Sequence, residues 1–286
     1  MQAKIIADST CDLSAELLER YQIRRVPLTI VKGEDELKDG DEITPQDIFA
    51  YVDSGQGVCH TAAVNVREYQ AVFADAFAQG AEAVLSFTIS SKLSSCYQNS
   101  VIAGEDFNNV YSIDTCSLST GGGWLVLYAA ELLQQGLSAR QVVERCETKR
   151  LLSEASFVIS TLDYLHKGGR CSGIAALGAN LLNIKPCLEL CDGEIRVGKK
   201  YRGTTKKVLR QYLRERLEGR DDLDLSRAIV THTMYDDLQF VREMVRLVGE
   251  LQPFREVLFT DAGCTVGNHC GPGTLGVLIY GKDQVR

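Results

Sequence analysis

The chain has 286 residues, of which 45% are hydrophobic and 24% charged, and a formal charge of −7. This is ordinary for a globular protein of one large or two medium domains with a sizeable core. It excludes the basic excess that non-specific nucleic-acid binding needs. No run of about 18 apolar residues occurs, so no transmembrane helix is expected.

The opening Met1-Gln2-Ala3-Lys4-Ile5-Ile6-Ala7-Asp8 turns polar too soon for a signal peptide, and a cytoplasmic location is expected. Within it, residues 4–8 read as a strand. Ser14 then caps a helix carrying Leu17, Leu18 and Tyr21. Thr44-Pro45 is a helix start with proline at the first position. Residues 66–78 place Tyr69, Val72, Phe73 and Ala76 on one helical face. Residues 83–87 and 110–114 read as strands, each followed by a helical pattern. The longest apolar stretch, 124–130, ends at Glu131, and Gly136 with Ser138 marks a helix stop and restart.

Alternating strands and helices predict a sheet with helices on both faces, in which ligands sit at the carboxyl ends of the strands. Asp8-Ser9-Thr10, Thr88-Ile89-Ser90-Ser91 and Asp114-Thr115 all follow predicted strands. Their hydroxyls line a polar pocket or simply cap helices; spacing does not choose. Farther on, Asp192-Gly193 lies between alternating runs and predicts a hairpin. Helices are expected over 206–217 and 238–251, and strands over 228–232, 256–260 and 275–280. We place the domain boundary near Thr161, giving an N-terminal α/β domain over 1–160 and a C-terminal one over 161–286.

Ten cysteines occur without a Cys-x-x-Cys. Cys187 and Cys191, or Cys264 and Cys270, lack the companion ligands of a zinc site, so buried free thiols are expected. The four histidines are His60, His166, His232 and His269. His269 sits in a stretch rich in glycine, 266–276, which reads as a shaped loop. Gly271-Pro272-Gly273-Thr274-Leu275-Gly276 matches G-x-G-x-x-G by letters alone; the helix and distal acid of a dinucleotide site have no room after it. There is no G-x-S-x-G and no S-x-x-K. Ser94 or Ser95 could meet His269 in space, either as a hydrolase nucleophile with its base or as donors to a carboxylate. Lys167-Gly168-Gly169-Arg170 is a cationic turn. Arg196, Lys199, Lys200, Arg202, Lys206, Lys207 and Arg210 form an exposed basic face or a docking surface for an acidic partner or phosphate.

Taken together, the motifs resemble the DegV family of bacterial fatty acid-binding proteins, nearly end to end. The segments are Asp8-Ser9-Thr10-Cys11-Asp12-Leu13, the serine-rich 90–98, Ile113-Asp114-Thr115 with Ser119 and Gly121, and Thr161 to Arg170, close to T-L-x-Y-L-x-K-G-G-R. Leu182-Asn183-Ile184-Lys185-Pro186 and Gly267-x-His269-x-Gly271-Pro272-Gly273 complete the set. The resemblance implies two α/β domains, a mostly parallel N-terminal sheet with flanking helices and a mixed C-terminal one, with a long-chain fatty acid buried along their junction. By position, Thr61, Ser94, Ser95 and His269 would hold its carboxylate, with Ser9, Thr10, Gly267 and Asn268 at the pocket edge. It further implies a non-enzymatic carrier in phospholipid metabolism that presents the carboxylate to a separate fatty acid kinase for acyl phosphate formation. Arg170, and by extension Arg202, would dock that kinase. No metal or cofactor is implied beyond the fatty acid as ligand, and no nucleic acid; transient contact with a membrane fits such a carrier. The alternatives are a serine-dependent esterase or thioesterase and a regulatory lipid sensor.

The sequence departs from the family pattern at three places. T-S-Q-P-S is Thr61-Ala62-Ala63-Val64-Asn65, S-G-T is Ser94-Ser95-Cys96, and G-T-H-T-G is Gly267-Asn268-His269-Cys270-Gly271. The physics suits the implied ligand. Each buried methylene contributes about 0.8 kcal/mol, whereas a buried carboxylate must be met by hydrogen-bond donors.

Overall fold

Short apolar runs and amphipathic helices alternate through the first half of the chain. In the computed structural model, which describes residues 2–172, 184–233 and 237–283, β1 (Ala3–Asp8) leads through a 3-10 turn to α1 (Ala15–Arg20) and β2 (Ile23–Val26). An excursion follows through β3 (Thr29–Lys32), β4 (Asp35–Lys38), α2 (Pro45–Asp53) and β5 (His60–Ala62). Alternation resumes with α3 (Val66–Ala78), β6 (Ala83–Thr88), α4 (Cys96–Gly104), β7 (Val110–Asp114), α5 (Thr120–Gln134) and α6 (Ala139–Lys149).

Four of these strands form a parallel sheet in the order β2-β1-β6-β7. Every residue of β6 is buried, because helices cover an inner parallel strand on both faces. The excursion makes its own antiparallel sheet, ordered β4-β3-β5. Its strands are three or four residues long and carry no clear alternation, which is why no strand was expected there.

The rest of the chain continues through β8 (Ser153–Val158), α7 (Asp163–Gly168), β9 (Cys171–Ser172), β10 (Ile184–Cys191) and β11 (Glu194–Arg202). Then come α8 (Thr205–Leu217), β12 (Ala228–Thr233), α9 (Leu238–Leu251), β13 (Val257–Asp261), α10 (Cys264–Cys270) and β14 (Thr274–Tyr280). Seven strands pair in the order β13-β12-β14-β8-β10-β11-β9, parallel and antiparallel mixed. Asp192 and Gly193, at φ +52° and +79°, make the expected hairpin turn between β10 and β11. β8 lies between β14 and β10, so this sheet starts at Ser153, ahead of residue 160. Leu182 and Asn183 of one motif, and the side chains of His166 and Lys167, lie outside the described residues.

α5 joins the two large sheets. It is apolar almost all round because it packs on β1 and β6 on one side and on β12 and β14 on the other. Its first turn contains glycine where nothing else fits: a Cβ on Gly123 would stand 2.4 Å from the Cys11 carbonyl oxygen. The next residue, Trp124, stacks on Tyr280 with ring centroids 4.1 Å apart and donates its indole N–H to the Arg227 carbonyl at 3.1 Å. The buried Arg227 guanidinium is met by Glu131 at 2.5 Å and Glu256 at 3.0 Å.

One expectation is corrected. The glycine-rich stretch 266–276 is not a loop throughout: 264–270 is helical, and only Gly271 and Gly273, at φ +73° and +71°, bend the chain into β14. Gly267 and Asn268 are tolerated inside this helix because they are buried and packed, which overrides their low helix propensity. Among the described residues, no helix is long and apolar enough to cross a membrane.

Candidate functional site

Four elements converge on a cavity of about 470 Å³ between the large sheets. The β5 strand brings Thr61, the turn before α4 brings Ser94 and Ser95, α10 brings His269 near its end, and the segment after α7 brings Arg170. Leu28, Ile89, Leu118, Ile195 and Val266 supply apolar wall. Behind Leu118, Val266 and Cys270 lies a second, narrower void, walled by Phe157 and Leu278. The arrangement is one polar corner on an otherwise greasy space.

The corner is organised around an imidazole. Thr61 Oγ1 and His269 Nε2 are 2.9 Å apart, although 208 residues separate them in sequence. His269 Nδ1 is buried and has no hydrogen-bond partner among the described residues. A buried N–H without an acceptor costs more than a bare lone pair. We therefore assign the proton to Nε2, which donates to Thr61 and leaves the threonine hydroxyl hydrogen to point into the cavity. Burial pushes the imidazole pKa down to about 4, with further depression from the Arg170 and His60 charges. His269 is neutral at pH 7.

Nδ1 faces Gly168, and a Cβ there would stand 2.2 Å from it. The first glycine of the K-G-G-R segment is thus the wall against which the ring lies. Sequence reasoning saw that segment as a cationic turn and as part of a family motif with Arg170 as a docking residue; a close approach between residues 168 and 269 leaves no trace in spacing.

Ser94 is half-buried. Its Oγ donates to Cys96 Sγ at 3.3 Å and accepts from the Cys96 amide at 3.3 Å. Ser95 is the exposed N-cap residue of α4, and its side chain makes no capping bond. Ser94, Ser95, Tyr97 and Gln98 all line the cavity, so the positive end of the α4 dipole faces it. Arg170 is exposed at the mouth, its Nη1 donating to the Gly168 carbonyl at 2.8 Å. Neutral donors, a helix N-terminus and the two cations Lys92 and Arg170 together favour an anionic group with its charge near the mouth.

The four proposed edge residues lie elsewhere. Ser9 Oγ donates to Asp39 at 2.8 Å and accepts from the Leu28 amide at 3.1 Å. The Thr10 hydroxyl donates to Asp8. Both are buried linkers of the loop after β1, not cavity lining. Asn268 Nδ2 donates to the Cys59 carbonyl at 3.1 Å, and a Cβ on Gly267 would reach the Phe49 ring at 3.5 Å. These two occupy faces of α10 turned away from the cavity, since successive helical residues diverge by about 100°. Arg202 ends β11, exposed and away from the cavity lining. In the basic stretch around it, Arg196, Lys199, Lys206 and Arg210 are each matched by a carboxylate, from Glu194, Glu215, Asp237 and Glu243. Much of that stretch is internally compensated. None of the ten cysteines is in a disulfide, and eight of them are buried.

Comparison with known proteins gives the family. A family model described as "Uncharacterised protein, DegV family" matches residues 2–282. A DegV domain-containing protein of Caldanaerobacter subterraneus is 31% identical over 280 residues, covering 97% of this chain and 98% of that one. A protein of Thermotoga maritima named fatty acid-binding protein is 29% identical over all of both chains. A solved DegV family protein from Thermus thermophilus, described for its fatty acid binding, superposes with a TM-score of 0.88 at 33% identity, covering 99% of this chain and 100% of that one. From its first strand to its last, this chain belongs to the DegV family.

Proposed function

We propose that the protein binds a long-chain fatty acid, with its carboxylate against Thr61, Ser94, Ser95 and His269 and its tail running toward the void behind Leu118. The observation that carries this reading is the Thr61–His269 pair, in which the imidazole N–H holds Thr61 and frees its hydroxyl hydrogen as a neutral donor at one corner of an apolar cavity. Burial of the tail, at about 0.8 kcal/mol per methylene, supplies affinity; the donors offset the desolvation of the head group. Relatives named for fatty acid binding support the ligand class. Extraction of the purified protein followed by lipid mass spectrometry tests it: one acyl chain per protein is expected, and a lipid-free extract from a host rich in fatty acids rejects it.

We further propose that the protein is a carrier that presents the head group to a separate kinase, which forms the acyl phosphate. Arg170, exposed beside the mouth, is the docking contact we favour, with Arg202 as a second and more distant one. Pull-down from the native cell with and without Arg170→Ala separates this carrier from a lipid sensor that acts alone. A serine esterase needs an imidazole nitrogen on its nucleophile. Here Nε2 lies on Thr61, Nδ1 on Gly168, and Ser94 Oγ on Cys96, which favours binding over hydrolysis.

A further inference from the structure

α10, which carries His269, starts without a cap of its own. Its N-cap residue is Gly263, which has no side chain. The first amides of a helix need acceptors, and here they come from carboxylates far away in sequence. Asp12 Oδ1 accepts from the Gly263 amide at 2.8 Å. Asp39 Oδ1 accepts from the Cys264 amide at 2.9 Å, and Oδ2 from the Thr265 amide at 3.2 Å and the Thr265 hydroxyl at 2.6 Å. The glycine is part of this device: a Cβ on Gly263 would stand 3.1 Å from Asp12 Oδ1 and 3.5 Å from Asp39 Oδ1.

Asp39 does more than cap. It is buried, and it directly follows β4, in the small sheet whose other edge strand holds Thr61. Its amide donates to the Leu28 carbonyl at 3.0 Å, and Ser9 donates to its Oδ2. One carboxylate therefore ties together the loop after β1, the sheet of Thr61 and the helix of His269. Those last two elements are the ones that must meet for the polar corner to exist.

We infer that Asp39 is a positioning residue for the head-group corner: by fastening the start of α10 to the β3–β5 sheet, it sets the distance between Thr61 and His269. This rests on the fatty acid reading for its ligand but not for its geometry. Four donors converge on its two oxygens, about the number that a carboxylate accepts. An amide at this place offers one acceptor and turns an NH2 group toward donors, so Asp39→Asn repels part of what Asp39 attracts.

The test uses the full chain with two ligands, palmitic acid and hexadecanol, which share a tail and differ in the head group. In Asp39→Asn, palmitate affinity should fall about tenfold relative to the alcohol, and the His269 ring should titrate closer to an ordinary histidine in NMR. Equal weakening of both ligands means that Asp39 only supports the fold and overturns the inference. A folded variant with an unchanged ratio and an unchanged His269 also overturns it. Should Asp39→Asn fail to fold, Thr265→Val removes one donor to Asp39 at nearly constant volume. A loss of about threefold in the same ratio supports the inference; no change rejects it. If the unaltered protein binds neither ligand, the fatty acid reading fails, and the His269 titration alone decides whether Asp39 positions the ring.

Discussion

A single imidazole carries most of the chemistry of the cavity, and its burial makes a pH prediction. His269 is held near 4 in the fold, against an ordinary value of 6.5. Between those values the unfolded chain binds a proton that the folded chain refuses, so this group makes stability rise with pH across that window. NMR titration should find the His269 ring neutral down to about pH 4; a midpoint near 6.5 would mean that the ring is wet. Gly168→Ala tests the other side of the ring. The added methyl meets Nδ1 at 2.2 Å, so His269 must turn away from Thr61. We expect an overpacking cost of roughly 1–3 kcal/mol in denaturant unfolding and weaker fatty acid binding than the stability loss alone would give. The same glycine shows where sequence reading stops. His269 stood out because histidines are few, Ser94 was raised as its possible partner in space, and Thr61 was reached through a family motif. The contact of residue 168 with residue 269 is a fact of folding, invisible to spacing.

Elements differ in how much of them the sequence announces. Helix α9 runs over Leu238–Leu251, the range expected from periodicity, because a long amphipathic face imposes a pattern. The inner strands of the parallel sheet were equally plain as apolar runs. The β3–β5 sheet was not, since three- and four-residue strands are shorter than any period that can be counted. Helix α10 was hidden by Gly267 and the glycines that flank it, which read as a loop; the flanking ones serve instead as points of close contact. For α5 the glycine argument gives a prediction. Gly123→Ala raises intrinsic helix propensity by about 1 kcal/mol, yet its methyl would press on the Cys11 carbonyl oxygen at 2.4 Å and on Leu13. We expect net destabilisation by about 1–3 kcal/mol in urea unfolding; a gain in stability would show that the loop after β1 yields.

At the scale of the whole molecule, the halves are fastened by buried acids and by the Trp124 region. Burial above all pushes the Asp12 carboxyl up to about 8 and Asp8 to about 6, the nearby Asp39 charge adding to both. A carboxyl raised in the fold keeps a proton that the unfolded chain has already lost above pH 3.8, so its contribution to stability fades as pH rises toward the folded value. From pH 6.5 to 8 the His269 term is complete and the Asp12 term is still falling. The urea midpoint should therefore drop over that range in the unaltered protein and stay level in Asp12→Asn, which keeps an acceptor for Gly263. A flat profile in both would remove Asp12 from the account.

The chain has one tryptophan, and it stands at the seam, stacked on Tyr280 of the second sheet and bonded to the Arg227 carbonyl. Its emission therefore comes from a single fluorophore whose surroundings belong to both halves. Any parting of the sheets to admit or release a long ligand would expose the indole to water and shift its colour toward the red. Loading that is confined to the cavity mouth would leave the spectrum still. An optical signal for how cargo enters is built into the protein without a label.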